Sequence, residues 1–116
     1  MLKPMKNVPL DYSLCQDTVT VYHREGLTRQ VLENVHYEHT TRRAVEDGIA
    51  RVSRSFHLVI PGECAVFPGD KVLRGIGPEE VSWDQLLPET HPTLGIIASV
   101  QPRYYRGKLC HTEARG

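Results

Sequence analysis

Histidines and cysteines are the residues of this chain best suited to binding a metal. His36 and His39 stand three apart in a segment of alternating apolar and polar residues, where side chains three apart leave opposite faces of a strand. Cys110 and His111 are adjacent in the sequence, so in a strand their side chains also leave opposite faces. None of the cysteines forms a Cys-x-x-Cys pair. The spacing therefore predicts no metal site and no cofactor.

Nucleophilic and nucleotide-binding motifs are also missing from the sequence. The serines lack a Gly-x-Ser-x-Gly context, and Cys64 is typical of a small packed apolar side chain. The Gly75-Ile76-Gly77 stretch lacks the third glycine of a dinucleotide-binding fingerprint. We therefore expect a protein that is not an enzyme and has no catalytic residues.

Charge is unevenly distributed along the chain. Residues 76–91 contain no Lys or Arg but four carboxylates: Glu79, Glu80, Asp84 and Glu89. Residues 101–116 carry a basic excess: Arg103, Arg106, Lys108 and Arg115 against Glu113. The two segments either neighbour each other within one subunit or pair head to tail between copies, a contact that closes rings. We predict the second, with the subunit interface formed by Glu79, Glu80, Asp84, Arg103 and Arg106.

Composition restricts the class of protein further. A chain of 116 residues is one domain of ordinary size. Its 14 basic residues balance its 14 acidic ones, which argues against a dedicated nucleic-acid binder. No apolar run is long enough for a membrane span or a signal peptide, so we expect a cytoplasmic protein with no membrane partner. Three widely spaced cysteines argue against a disulfide framework.

Local patterns predict a mainly β fold. Val and Ile are abundant, Ala is scarce, and nine Gly with eight Pro supply chain reversals. Residues 1–16 are expected to form an extended N-terminal arm, residues 78–87 a short helix, and residues 101–107 a turn. Alternation predicts strands at residues 17–23, 28–39, 51–60, 71–74, 94–100 and 108–115, the last of them at an edge. These elements predict a small single-domain β-barrel or sandwich from residue 17 to 116.

Residues 40–50 interrupt this alternation between two clear strands. The segment is polar, and it is longer than a usual hairpin connection. We therefore predict a protruding loop, and long loops in small domains often carry function.

The order of four segments resembles a family of small tailed-phage and prophage proteins described as minor capsid or head–tail connector proteins. The segments are VTVYHRE at 19–25, TTRRAVEDGIARVSRSFHLVIPG at 40–62, PGDKVLRG at 68–75, and IIASVQPRYYRGKLCHTEARG at 96–116. Together they cover most of the chain after residue 17.

The resemblance implies a neck protein of the head-completion or stopper type. Such proteins form a ring, here of about six or twelve copies, beneath the portal and adaptor. The ring closes the channel around packaged double-stranded DNA and receives the tail, so the expected location is the virion neck, after assembly in the host cytoplasm. A long inter-strand loop reaches into the channel of related stoppers. The matching segment here is residues 40–51, with candidate channel residues Arg42, Arg43, Glu46, Asp47, Gly48 and Arg51.

Two alternatives stay open at this point. One is a tail terminator or other minor virion protein, which differs in its position in the particle. The other is a monomeric OB-like or SH3-like module that binds nucleic acid. In that case Tyr104 and Tyr105, beside Arg103 and Arg106, would stack on unpaired bases.

Overall fold

Seven β-strands and one 3-10 turn make up the computed structural model, which describes residues 12–116. Residues 1–11, most of the predicted arm, lie outside the described residues. The predicted mainly β fold class is confirmed. The elements are β1 (Asp17–Tyr22), β2 (Arg29–Glu46), β3 (Ile49–Pro61), β4 (Lys71–Arg74), the 3-10 turn (Trp83–Gln85), β5 (Gly95–Ile96), β6 (Ser99–Tyr105) and β7 (Lys108–Arg115).

One antiparallel sheet joins all seven strands in the order β5-β4-β1-β2-β3-β7-β6. The long strand β2 belongs to both halves of this sheet. Its first part, up to Val35, pairs with β1, and its second part, from His36 onward, pairs with β3. The sheet is not closed into a barrel.

A bulge in β2 marks the change of partner. Val19 pairs with Leu32 and Asp17 pairs with Val35, so β2 has one more residue than β1 between these pairs. Asn34 within it has φ 56°, in the left-handed region that Asn tolerates. A bulge bends a strand and increases its twist.

The core lies between the two halves of the bent sheet. Val19 and Val72, from one half, share a buried cluster with Leu58 and Ala114 from the other. All four are fully buried. A second cluster packs Tyr22 against the loops that follow β4, with Leu73, Leu86 and Leu94 as its other buried members.

Several predicted elements differ from those observed. The strand predicted at residues 94–100 is interrupted between β5 and β6, and most of the turn predicted at residues 101–107 is strand β6. The helix predicted at residues 78–87 is reduced to the 3-10 turn. Strand β7 has the predicted start and end but lies inside the sheet, between β3 and β6, so its predicted edge position was wrong.

Residues 12–16, the inner end of the predicted arm, pack on the sheet. The Tyr12 hydroxyl lies 2.7 Å from Nδ1 of His111, and the two rings meet edge to face. Cys15 is buried. This part of the chain is therefore held against β7.

Candidate functional site

The segment predicted as a protruding loop is a β-hairpin, so the prediction of irregular structure at residues 40–50 was wrong. Strands β2 and β3 remain paired without interruption, from Thr40 opposite Ser55 to Glu46 opposite Ile49. We call residues 40–55 the ribbon.

A two-residue turn closes the ribbon. Asp47 and Gly48 have φ of 51° and 77°, so both central residues are left-handed, as a type I′ turn requires. Asp-Gly is among the strongest short-range hairpin signals in a sequence. This dipeptide could have identified the hairpin from the sequence.

Every residue of the ribbon is exposed. The last buried side chain before it is Tyr37 on β2, and the first after it is Phe56 on β3. Three large aliphatic side chains stand in solvent: Val45 is 74% exposed, Ile49 58% and Val52 48%. The ribbon therefore extends beyond the core, and none of its side chains is buried.

Strand alternation gives the ribbon two faces. The core-side face continues the side of the sheet that carries Tyr37 and Phe56, and it presents Thr41, Arg43, Val45, Ala50, Val52 and Arg54. The outer face presents Thr40, Arg42, Ala44, Glu46, Ile49, Arg51, Ser53 and Ser55. Val52 and Arg54 lie in the strand predicted at residues 51–60 but were not among the predicted site residues, and Val45 lies in the segment predicted as a loop.

Each face carries two arginines, and the acidic residues lie at the tip. Arg43 and Arg54 flank the valines of the core-side face, while Arg42 and Arg51 are on the outer face. Within residues 12–116, no ribbon arginine forms an ion pair. All four guanidinium groups are therefore available to a partner.

The acidic stretch at residues 76–91, which we call the acidic segment, is anchored on the sheet. The Lys71 ammonium donates to the carbonyl oxygens of Trp83 and Leu86 at 3.0 and 2.8 Å and lies over the Trp83 ring. Burial lowers the pKa of Lys71, partly offset by the charge of Asp84. The Tyr22 hydroxyl donates to the Pro78 carbonyl at 2.8 Å. The backbone of this segment is thus held by side chains of β1 and β4.

The carboxylates of the acidic segment lie at the protein surface. Glu79, Glu80, Asp84 and Glu89 are all exposed, and none of them forms an ion pair within the part of the chain that the structure describes. Two exposed aliphatic side chains, Ile76 and Leu87, belong to the same segment. The result is an anchored surface that is both acidic and partly apolar.

Strands β6 and β7 form a second hairpin, which we call the terminal hairpin. The guanidinium of Arg103 bonds to Glu113 through Nε and to Gln101 through an Nη. Nε2 of His57 lies 3.3 Å from the other Glu113 oxygen. Burial alone would raise the pKa of Glu113, but the hydrogen bond and charge of Arg103 outweigh it and lower the pKa. Arg103, predicted to face a neighbouring copy, is therefore already bonded within its own chain.

Arg106, the other basic residue predicted at the interface, lies at the turn of the terminal hairpin. It is exposed, and its guanidinium stacks on Tyr105. Tyr104 beside it is 64% exposed. None of the ion pairs in residues 12–116 joins Arg103 or Arg106 to Glu79, Glu80 or Asp84.

The ribbon and the terminal hairpin point in opposite directions. Strand β3 runs from Ile49, next to the ribbon tip, to Pro61. Strand β7 is antiparallel to β3 and places His111 opposite Pro61, so the turn at Arg106 lies beyond that end. The chain thus has an acidic-tipped arginine ribbon at one end and a basic, tyrosine-rich turn at the other.

Cys64 and the possible metal ligands are the remaining candidates for chemistry. Cys64 lines an open groove of about 560 Å³ whose described lining contains no His, Lys or Arg that would stabilise a thiolate. Burial raises the pKa of this thiol. No group of three or more His, Cys, Asp or Glu side chains within residues 12–116 is arranged to hold a metal ion. In the same range, no helix is long and apolar enough to cross a bilayer.

Comparisons with protein-family models, curated proteins and solved structures found no match to this chain.

Proposed function

We propose that this chain is a structural virion protein of a tailed phage, a ring-forming head–tail connector of the head-completion or stopper type. It closes the DNA channel below the portal and joins the tail. The resemblance in segment order supports this role. The observation that carries it is the ribbon, a long hairpin in which every residue is exposed.

The ribbon has the reach that a channel element needs. Seven residues on each strand, at about 3.3 Å per residue, extend it roughly 20 Å beyond the last core pair. A two-stranded hairpin is only marginally stable alone in water, so an exposed one is best explained by contacts that form on assembly. In a ring, such contacts are supplied by neighbouring copies.

The charges of the ribbon suit a gate around DNA. Arg42 and Arg51 on the outer face can bind phosphates when DNA fills the channel. When it is empty, Glu46 and Asp47 at the tip can pair with arginines of adjacent ribbons. A ring of ribbons would thus be closed by bonds between subunits and opened when DNA moves through.

Removal of the ribbon in register tests this role. Thr40 pairs with Ser55 in the same hydrogen-bonded type of pair as Glu46 with Ile49, which the Asp47-Gly48 turn closes, so replacing residues 41–54 by Asn-Gly leaves a tight hairpin and does not touch the core. We expect particles carrying this variant to assemble but to lose packaged DNA before tails attach. DNA retention in tail-less heads, measured by nuclease protection, reports the effect. Heads that keep their DNA fully would contradict the gating role.

A nucleic-acid-binding module is the second candidate, favoured by one observation. Tyr104 is mostly exposed and Arg106 stacks on Tyr105, which is an arrangement suited to stacking on bases. Binding of single-stranded DNA by the monomer, with an affinity that falls steeply as salt rises and is lost in Tyr104→Ala, would favour this candidate over a connector.

A further inference from the structure

We infer that the core-side face of the ribbon docks on the acidic segment of a neighbouring copy of the same chain. This inference rests on the self-association that the proposed function requires, and it replaces Arg103 as the partner of the acidic segment. The ribbon and the acidic segment are complementary both in apolar surface and in charge.

Apolar surface is the first match. Val45, Ala50 and Val52 are neighbours on the core-side face, and both valines are largely exposed. The acidic segment offers Ile76 and Leu87, two of the exposed aliphatic side chains outside the ribbon. Contact between the valines and either of these side chains would remove apolar surface from water on both sides, which favours association.

Charge is the second match. Arg43 and Arg54 flank the valines, and neither forms an ion pair within the described residues. Glu79 and Glu80 are exposed and equally without an ion-pair partner there. Arginine at an interface can bond a carboxylate through two N–H groups at once, which fixes geometry as well as adding energy.

The acidic segment also presents its charges on an ordered backbone. Lys71 bonds two of its carbonyl oxygens, and Leu86 is buried beneath it. A surface that is ordered before binding loses little conformational entropy on binding. The ribbon is ordered along its length by the ladder between β2 and β3.

The other partners within reach fit less well. The ribbon of the same subunit is exposed on both faces, so its own acidic segment does not cover it. Arg103 is bonded to Glu113 and would have to leave that carboxylate half-buried without its partner. The phosphates of duplex DNA could bind Arg43 and Arg54. Val45 and Val52 would then face charged phosphates, and their apolar surface would not be matched.

Charge reversal on one face of the ribbon, compared with the same change on the other face, tests the inference. Arg43→Glu with Arg54→Glu alters the core-side face. The control, Arg42→Glu with Arg51→Glu, alters net charge equally on the outer face, whose arginines are proposed to contact DNA and take no part in the docking contact. Sedimentation equilibrium of the purified chain measures association. We expect the core-side variant to associate at least about tenfold more weakly than the wild type, and the control to change association much less.

Reversal of the partner surface completes the cycle. Glu79→Arg with Glu80→Arg should weaken association alone and restore part of it when combined with the core-side variant. Circular dichroism of each variant checks folding, which these exposed positions should leave unchanged. Equal effects of the two ribbon variants, absence of rescue, or a wild type that stays monomeric at its highest soluble concentration would overturn the inference.

The same variants separate this inference from the proposed function. Loss of duplex-DNA binding in the core-side variant, with association unchanged, would make this face a DNA contact and overturn the inference. Association that follows the expected pattern in solution, together with heads that keep their DNA after removal of the ribbon, would leave the docking contact standing and remove the channel role.

Discussion

The ribbon and the terminal hairpin have the same turn geometry but opposite relations to the core. Both turns have a left-handed residue followed by a left-handed glycine: Asp47 and Gly48 in one, Arg106 and Gly107 in the other. In the terminal hairpin, β7 pairs with β3 as well as with β6, and Thr112 and Ala114 are buried. In the ribbon, neither strand has a buried residue, and neither pairs with a third strand within residues 12–116.

This difference separates structural polar residues from those that are available for binding. Where a third strand supports the hairpin, Arg103 is used within the chain, through Glu113 and Gln101. Where support is missing, the arginines of the ribbon have no partner in the described chain. A hairpin without a third strand is therefore the better place to look for contacts with other molecules.

The largest expected effect on the free energy of unfolding is at Leu58, which is compared with Val52 on the same face of β3. Leu58 is fully buried in the core, while Val52, six residues earlier, is on the ribbon. Leu58→Ala should reduce the free energy of unfolding by about 3 kcal/mol, because it leaves a cavity. Val52→Ala should reduce it by less than about 0.5 kcal/mol. Urea denaturation at a monomeric concentration measures both, and similar losses would mean that the ribbon is part of the core.

A smaller effect is expected at Glu113, whose bond to Arg103 supports the terminal hairpin. Glu113→Gln should reduce the free energy of unfolding at pH 7 by about 1 kcal/mol, discounted because Arg103 is half exposed. The folded state lowers the pKa of Glu113. Its stabilising contribution is therefore complete above the ordinary value near 4.5 and is lost as pH falls through the lower, folded value.

The pH dependence provides the control for this prediction. The wild type should lose stability faster than Glu113→Gln as pH falls below about 4.5. Burial also lowers the pKa of His111 in the folded state. As pH falls below about 6.5, this histidine is therefore protonated in the unfolded state before it is protonated in the folded state, and the free energy of unfolding decreases. The loss of stability caused by His111 should begin at higher pH than the loss caused by Glu113, in the wild type and in Glu113→Gln alike. Parallel curves below pH 4.5 would show that the Arg103–Glu113 pair contributes no stability.

The last comparison is between the two turn glycines, and the smallest expected effect is at Gly48. Gly107 and Gly48 have φ of 78° and 77°, where a Cβ is strained. Gly107→Ala should lower global stability by about 1 kcal/mol, because the strain acts on a hairpin that belongs to the folded sheet. Gly48→Ala should change it by less than about 0.3 kcal/mol, because the ribbon can open locally. Amide hydrogen exchange in the ribbon should accelerate in Gly48→Ala alone; faster exchange throughout the sheet would contradict this.

Agreement between sequence and structure is best where strands pack on the core. The predicted strand at residues 71–74 and the last strand at residues 108–115 have the observed bounds, and β1 differs by one residue. In β1, burial on the sheet forces apolar residues such as Val19 and Val21 onto one face, and this produces the period-two pattern. The spacing of apolar residues along the sequence is therefore enough to predict these strands.

The ribbon was missed for the converse reason. None of its side chains is buried, so no pressure from the core imposes alternation; residues 51–55 were predicted as part of a strand, but residues 40–50 were interpreted as a polar loop. Only the Asp47-Gly48 dipeptide signalled the hairpin. The position of β7 between β3 and β6 was missed because alternation says which face of a strand is buried but not which strands lie beside it.

The amino-acid sequence by itself determined the mainly β class, most of the core strands, and the uneven charge along the chain, because each of these depends on residue types and short spacings. Tertiary structure decided which charges are already paired. Arg103 and Glu113 are ten residues apart and meet only because the Arg106-Gly107 turn brings β6 onto β7. Within residues 12–116 the ribbon arginines have no ion-pair partner, because β2 and β3 continue past the last of the described strands that could cover them.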